Sequence, residues 1–184
     1  MDVRRINKAI TVATTAHRNQ FRKGTDIPYI THPFAVGMLL AQSQSDDNVI
    51  IAGILHDTVE DTSVTLEEIR ALFGDEVATI VAGCSEPDKS LTWEERKKHT
   101  IAELRNAPLE VQLVACADKL HNVTSMLEDH TQIGDALWYR FNRGRDKQQW
   151  YFNELVKQLE NSEIGNHDLY IGLKQSISKL FDAC

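Results

Sequence analysis

The sequence has few cysteines, glycines and prolines, and it has no long apolar segment. Its 184 residues include three Cys, nine Gly and four Pro. The cysteines are odd in number, widely separated and without a Cys-x-x-Cys pair, which argues against a disulfide framework and against a zinc ribbon. No apolar run approaches the roughly 20 residues that a membrane-spanning helix needs. We therefore expect a cytoplasmic protein that is neither exported nor embedded in a membrane.

Basic residues are also in the minority. The chain has 20 Lys and Arg against 27 Asp and Glu, which gives a formal net charge of −7. This balance argues against a general affinity for nucleic acid or for an anionic membrane surface. A polyanionic small molecule would have to be bound by a local group of cations. The sequence leaves the oligomeric state open, and a homodimer is one arrangement that it allows.

The spacing of apolar residues predicts helices. Apolar side chains recur at helical intervals in several segments, for example at Val111, Val114, Ala117 and Leu120. Two pairs match the capping box that begins a helix, Thr65 with Glu68 and Thr92 with Glu95. The sequence contains no Asn-Gly or Asp-Gly turn of the kind that joins hairpin strands. We predict an all-α fold of about eight to ten helices.

Ionisable residues follow directly after an apolar helix. They are His56, Asp57, Glu60 and Asp61. Carboxylates are rare beside a core unless they are paired or bind a metal, because removal from water costs several kcal/mol. If the helix continued to Asp61, His56 and Glu60 would share one face. A set of histidine and carboxylate ligands favours Mn²⁺, Fe²⁺, Co²⁺ or Zn²⁺ over Ca²⁺. The alternative is a solvated acidic helix end.

Two further residues are candidate metal ligands. His32 precedes Pro33 at the predicted start of a helix, which is a rigid position from which to aim an imidazole. The alternative role for His32 is a capping or surface residue. Asp118 follows an apolar run and needs a partner there, while Asn122 lies one helical turn later on the same face. Asn122 is a candidate partner of Asp118.

In this order and spacing, these residues resemble the HD-domain metal phosphohydrolases and, more narrowly, the hydrolase domain of the RelA/SpoT-homologue family. The resemblance covers residues 5–127 closely. It rests on Ala16-His17-x-x-Gln20-x-Arg22-Lys23-Gly24, Pro28-Tyr29-Ile30-x-His32-Pro33, Leu55-His56-Asp57-Thr58-Val59-Glu60-Asp61-Thr62, Phe73-Gly74-x-Glu76-Val77-Ala78 and Ala117-Asp118-Lys119-Leu120-His121-Asn122. A His-Asp dipeptide alone is a weak signal, whereas this ordered set is specific. The sequence departs from the family at Ala115 and Cys116, where the pattern has Lys and Leu.

The resemblance implies a single HD hydrolase domain over residues 1–184, with helices at about 131–182 completing the fold. It also implies one divalent ion, usually Mn²⁺, with Glu60 and Asp61 as the residues of acid–base catalysis. The implied ligands of that ion are His32, His56, Asp57 and Asp118. Because the sequence ends at residue 184, we expect a small hydrolase without the synthetase and regulatory domains of long family members.

The implied reaction removes the 3′-pyrophosphate from guanosine tetra- or pentaphosphate and gives GDP or GTP plus pyrophosphate. The resemblance implies that Arg22 packs against the base, Lys23 lies near the phosphates and Asn122 contacts the ribose. Without it, Arg22 and Lys23 would be interpreted as an exposed basic turn. An adenine alarmone or the 2′-phosphate of NADPH is an alternative substrate for the same site. The alternative from another functional class is a non-catalytic protein that senses a nucleotide. Such a protein would be expected to lack part of the catalytic site.

Overall fold

The computed structural model describes residues 1–86 and 90–182. Across these two ranges the regular secondary structure is helical, apart from one isolated β-bridge between Phe21 and Pro28. The α-helices are α1 (Val3–Ala16), α2 (Thr31–Gln42), α3 (Asp47–Leu55), α4 (Thr58–Asp61), α5 (Leu66–Phe73), α6 (Asp75–Cys84), α7 (Trp93–Asn106), α8 (Leu109–Ile133), α9 (Arg145–Leu159) and α10 (Asp168–Phe181). Two 3₁₀ helices cover Gly134–Arg140 and Glu163–Asn166. The predicted all-α fold is confirmed.

The chain divides into two compact units. Among the described residues, the first consists of residues 1–86 and 107–118, and the second of residues 90–106 and 119–182. Helix α8 contributes its first part to one unit and its remainder to the other. The first unit holds all the predicted metal ligands and acid–base residues. A single domain over the whole chain stays a prediction.

Helix α3 is the centre of the first unit. Its residues 49–55 are all buried, and it packs against α1, α2 and α6. A helix that is apolar on every side needs such complete cover. Helices α2 and α3 approach closely through glycine: a Cβ on Gly53 would lie 2.3 Å from Leu40 Cδ1, and one on Gly37 would lie 2.6 Å from Ile54 Cγ1. This close contact fixes the helix pair that carries His32.

Helix ends in the chain follow the expected local chemistry. The Thr65 side chain accepts a hydrogen bond from the Glu68 backbone N–H, and the Glu68 carboxylate accepts one from the Thr65 backbone N–H. Thr92 and Glu95 form the same reciprocal pair before α7. Gly74 ends α5 with a φ of 98°, which a side chain would disfavour. Both predicted capping boxes are therefore confirmed.

The second unit packs an aromatic and aliphatic core among its own helices. Helix α9 contacts α7 and α10, and it buries Tyr151, Phe152 and Leu155. The rings of Trp138 and Phe181 stack at a centroid distance of 5.6 Å. Among the residues that the structure describes, none of the helices has both the length and the apolarity required to cross a bilayer.

Candidate metal centre and active site

The His-Asp pair lies in a break between two helices. Helix α3 ends at Leu55 and α4 begins at Thr58, so a continuous helix to Asp61 is not formed. The Thr58 hydroxyl donates to the Leu55 carbonyl at 2.6 Å, which provides one of the last α3 carbonyls with a partner. Successive residues on a helix do not face each other. The break allows His56 Nε2 to approach Asp57 Oδ2 at 3.0 Å.

Four predicted ligands meet at this break. His32 comes from the first turn of α2 and Asp118 from α8, and both are buried. His32 Nε2 lies 3.2 Å from Asp118 Oδ1 and 3.6 Å from Asp57 Oδ2. His56 Nε2 lies 3.9 Å from Asp118 Oδ1. Ligand atoms of His32, His56 and Asp118 all lie within 4.8 Å of one another. The structure thus forms a His/His/Asp site with Asp57 beside it.

The donor atoms fit a divalent metal ion. In neutral His56, Nδ1 donates to the Gly53 carbonyl at 2.8 Å, which leaves the Nε2 lone pair directed away from the backbone. This Nε2 is buried and makes no hydrogen bond of good geometry to the described residues, although the Asp57 carboxylate is near. Two imidazoles and two carboxylates form a donor set that suits Mn²⁺, Fe²⁺ or Zn²⁺.

Glu60 and Asp61 end the one-turn helix that follows the ligand pair. Glu60 is half-buried, and its Oε2 accepts a hydrogen bond from the Glu86 backbone N–H at 3.2 Å. Asp61 is exposed, and its backbone carbonyl accepts a hydrogen bond from Gln20 Nε2 at 2.6 Å. Both acids therefore lie immediately after the ligands in the chain, and hydrogen bonds from other segments hold this turn.

Tyr29 is a site residue to which sequence reasoning assigned no role. Its hydroxyl donates to Asp57 Oδ2 at 2.5 Å, and its ring lies 5.8 Å from the His32 ring by centroid. Burial, together with the charge of Asp57, raises the pKa of Tyr29 above its ordinary value, so the phenol keeps its proton. The only sequence signal was its place just before His32 in the Pro28-Tyr29-Ile30 motif.

Comparison with known proteins agrees with this geometry. The sequence model of the HD domain matches residues 9–137. The chain belongs to the HD domain family. The resemblance to SpoT-type hydrolases that the sequence motifs indicated is confirmed.

Relatives of this HD protein include both long and short chains. A GTP pyrophosphokinase of Streptomyces coelicolor is 42% identical over 127 residues, which are 67% of this chain but 15% of that protein. The Danio rerio guanosine-3′,5′-bis(diphosphate) 3′-pyrophosphohydrolase MESH1 is 39% identical over 122 residues, 65% of this chain and 67% of that one. A solved metazoan ortholog of SpoT, described as hydrolysing ppGpp, is 27% identical with a TM-score of 0.78, over 96% of this chain and 95% of its own. This chain thus spans only a small part of the long relatives.

The charges in the HD site influence one another strongly. Burial lowers the pKa of His32 below its ordinary value, although the Asp118 carboxylate opposes the shift. Burial also acts to lower the pKa of His56, but the charges of Asp57 and Asp118 outweigh it and raise that pKa to about 9. Burial disfavours the charged form of Asp57, yet His56 holds its pKa below the ordinary value. Without a bound ion, these opposing influences favour a protonated His56 paired with an ionised Asp57 at neutral pH.

This charge state predicts that binding of a divalent ion releases a proton. Since His56 must lose its proton to bind a metal, affinity should rise with pH up to about 9, the pKa of His56, and then level off. His32, with its lowered pKa, is already neutral at neutral pH. Calorimetric titration with Mn²⁺ at about pH 7.5, in buffers of different ionisation heat, should give about one proton released per ion.

The exposed His99 on α7 offers a matched control for this measurement. His99→Gln should leave the number of released protons unchanged. Absence of proton release from the wild-type protein would contradict the protonated state of His56.

The predicted substrate residues have different environments. Arg22 is half-buried with its guanidinium 5.8 Å from the Tyr29 ring centre, whereas Lys23 is exposed. Asn122 is half-buried on α8 and belongs to the second unit. The structure thus places Arg22 beside Tyr29, whose hydroxyl donates to the candidate metal ligand Asp57.

The two departures from the family pattern are both buried. Ala115 is 8% exposed and Cys116 is 0% exposed. Burial and the charge of Asp118 raise the pKa of the Cys116 thiol to about 12. We therefore regard Cys116 as a packing residue, because a reactive thiol needs access and a lowered pKa.

Proposed function

We propose that this HD protein removes the 3′-pyrophosphate from guanosine tetra- or pentaphosphate and produces GDP or GTP and pyrophosphate. The observation that carries the proposal is the cluster of two imidazoles and two carboxylates followed directly by Glu60 and Asp61. It is supported by the relative of similar length that is named a 3′-pyrophosphohydrolase of guanosine bis(diphosphate). The substrate would be a small nucleotide.

We assign His32, His56, Asp57 and Asp118 as the ligands of one divalent ion, with Mn²⁺ as the resident metal. When bound, such an ion would polarise a water molecule and offset charge on the phosphate oxygens. The chain itself holds both imidazoles by burial, and it fixes His56 through the Gly53 carbonyl. Ligands fixed in this way need little rearrangement when the ion binds.

Hydrolysis requires two proton transfers, which we assign to Glu60 and Asp61. A water oxygen forms a bond to the phosphorus attached at the 3′-oxygen, and the bond between that phosphorus and the 3′-oxygen breaks. The water gives up a proton, and the departing 3′-oxygen takes one. Burial raises the pKa of Glu60 above the ordinary carboxyl value, which suits a group that exchanges protons closer to neutral pH.

We assign Arg22 to the base, Lys23 to the phosphates and Asn122 to the ribose. A guanidinium plane can stack on a purine, and local cations offset the net charge of −7 for a polyanionic substrate. A cytoplasmic location and the absence of a nucleic-acid partner also remain predictions, and the oligomeric state stays open, with a homodimer as one arrangement that the sequence allows.

Parallel turnover assays test the proposed function. Metal-stripped protein would be reconstituted with Mn²⁺ and given guanosine tetraphosphate, its adenine counterpart and NADPH. We expect Mn²⁺-dependent release of pyrophosphate, selective for the guanine compound. Preference for the adenine compound or for NADPH would overturn the substrate but keep the site. Tight nucleotide binding without turnover would instead support the non-catalytic sensor. In a separate incubation with ATP and GTP, net transfer of pyrophosphate from ATP to GTP would contradict a hydrolase.

A further inference from the structure

A hydrogen-bonded chain that the proposed reaction does not use runs from the end of α1 to the acid pair. His17 is the C-cap of α1 and is 1% exposed. Its Nδ1 lies 2.6 Å from Gln20 Oε1, and Gln20 Nε2 donates to the Asp61 carbonyl at 2.6 Å. The Gln20 side chain thus spans the distance between a buried imidazole and the last residue of α4.

The direction of these hydrogen bonds is determined by the Asp61 carbonyl. A backbone carbonyl can only accept, so the Gln20 atom beside it is the amide nitrogen. Gln20 Oε1 then faces His17 and accepts, which makes His17 Nδ1 the donor. In the neutral imidazole the proton is on Nδ1 and the lone pair on Nε2, and this Nε2 is buried without a hydrogen-bond partner among the described residues. The contact to Gln20 therefore fixes one tautomer of His17.

The His17 imidazole also contacts Tyr29, which hydrogen-bonds the proposed metal ligand Asp57. Its ring packs against Tyr29 at a centroid distance of 5.0 Å. The Tyr29 hydroxyl donates to Asp57 Oδ2, which is also the Asp57 atom that lies 3.0 Å from His56 Nε2. Two routes from His17 therefore reach residues 57–61, one through Tyr29 to a carboxylate and one through Gln20 to the backbone.

We propose that His17, Gln20 and Tyr29 are positioning residues, in which Tyr29 orients the Asp57 carboxylate for the metal and His17 with Gln20 holds the turn that carries the acid pair. The proposal rests on the metal site and hydrolase chemistry proposed above. Catalytic groups must be held within about 0.5 Å of their productive geometry, and side chains that hydrogen-bond metal ligands commonly provide that precision.

Tyr29→Phe tests the route to the metal. The variant keeps the ring against His17 and removes only the hydroxyl that donates to Asp57. We expect the Mn²⁺ dissociation constant to rise by about 10- to 100-fold, with an unchanged KM for the nucleotide at saturating Mn²⁺. Thermal unfolding of the metal-free variant would verify that the fold is retained.

Tyr170→Phe is the matched control. It removes another buried hydroxyl, which donates to the Val156 carbonyl at 3.1 Å in the second unit. This change should leave Mn²⁺ affinity at the wild-type value. Wild-type Mn²⁺ affinity in a folded Tyr29→Phe protein, or an equal loss in Tyr170→Phe, would overturn the role of Tyr29. The result does not depend on which nucleotide is the substrate, so failure of the proposed function leaves this test valid.

Gln20→Glu tests the route to the acid pair. The carboxylate can still accept from His17 but cannot donate to the Asp61 carbonyl. We expect kcat to fall by about 10- to 100-fold while the Mn²⁺ dissociation constant and the nucleotide KM stay unchanged. His17→Asn, which keeps an N–H donor near the Nδ1 position, should retain more activity than His17→Leu. If Gln20→Glu lost Mn²⁺ affinity by the same factor as kcat, the contact from Gln20 to Asp61 would not act separately from the metal site, and this part of the proposal would be wrong. If the protein turns over no nucleotide, the proposal is tested by the Mn²⁺ affinity of Tyr29→Phe alone.

Discussion

Asp57→Ala is expected to abolish both the retention of a divalent ion and turnover. The Asp57 carboxylate lies close to both imidazoles of the site, at 3.6 Å from His32 Nε2 and 3.0 Å from His56 Nε2. Without it, Asp118 is the one remaining carboxylate of the proposed ligand set. Loss of a group that merely orients a ligand costs about 10- to 100-fold in metal affinity, so loss of the ligand itself should exceed that range. Metal content after dialysis and turnover with added Mn²⁺ measure the two effects.

Asp75→Ala is the matched control for this variant. Asp75 is an exposed carboxylate at the start of α6, in the same unit, and it forms an ion pair with Arg70 at 2.9 Å. Exposed ion pairs contribute only about 0–1 kcal/mol to stability, so this change should preserve both metal content and rate. Full activity in Asp57→Ala would refute the assignment of Asp57 as a ligand.

Sequence reasoning was effective where a local pattern has one physical explanation. A carboxylate such as Asp118 at the end of an apolar run needs a partner, and the structure provides the His32 imidazole at 3.2 Å. Helical periodicity likewise predicted the all-α fold, because a helix such as α3 must bury its apolar residues against other helices.

Sequence reasoning left the backbone after Leu55 undecided, because it treated a helix that continues to Asp61 only as a condition. Residues 54–61 carry no Gly or Pro that would mark the end of a helix, and the spacing of His56 and Glu60 suits a continuous one. The break depends on the hydrogen bond from Thr58 to the Leu55 carbonyl and on the packing around it, which helical periodicity does not encode. Threonine can make such a backbone contact in several conformations, so its presence alone indicates little.

Tyr29 and Gln20 were missed for a different reason. Each has contacts distant in sequence, Tyr29 with Asp57 and Gln20 with Asp61. A half-buried tyrosine or glutamine has no local pattern that identifies its partner. Their roles follow only from the folded structure, in which the segment after α1 lies beside the break between α3 and α4.

Glu60→Gln is expected to keep the metal and lose most of the rate. The amide has nearly the shape of the carboxylate and can still accept the hydrogen bond from the Glu86 backbone N–H. It can neither accept nor deliver the proton that hydrolysis requires. A positioned acid–base group contributes about 10²- to 10⁴-fold to a rate, so kcat should fall by that factor with Mn²⁺ content unchanged.

Glu67→Gln on α5 controls for the loss of one acidic side chain, because Glu67 is exposed and lies in the same unit. Its rate and Mn²⁺ content should match the wild type. A Glu60→Gln protein that loses Mn²⁺ would make Glu60 a metal ligand instead of an acid–base residue. A Glu60→Gln protein that keeps the metal and a rate within about threefold of wild type would show that Glu60 is not an acid–base residue, since loss of such a group should lower the rate by at least about 10²-fold. Asp61, whose backbone Gln20 holds in place, would then be the remaining candidate for both transfers.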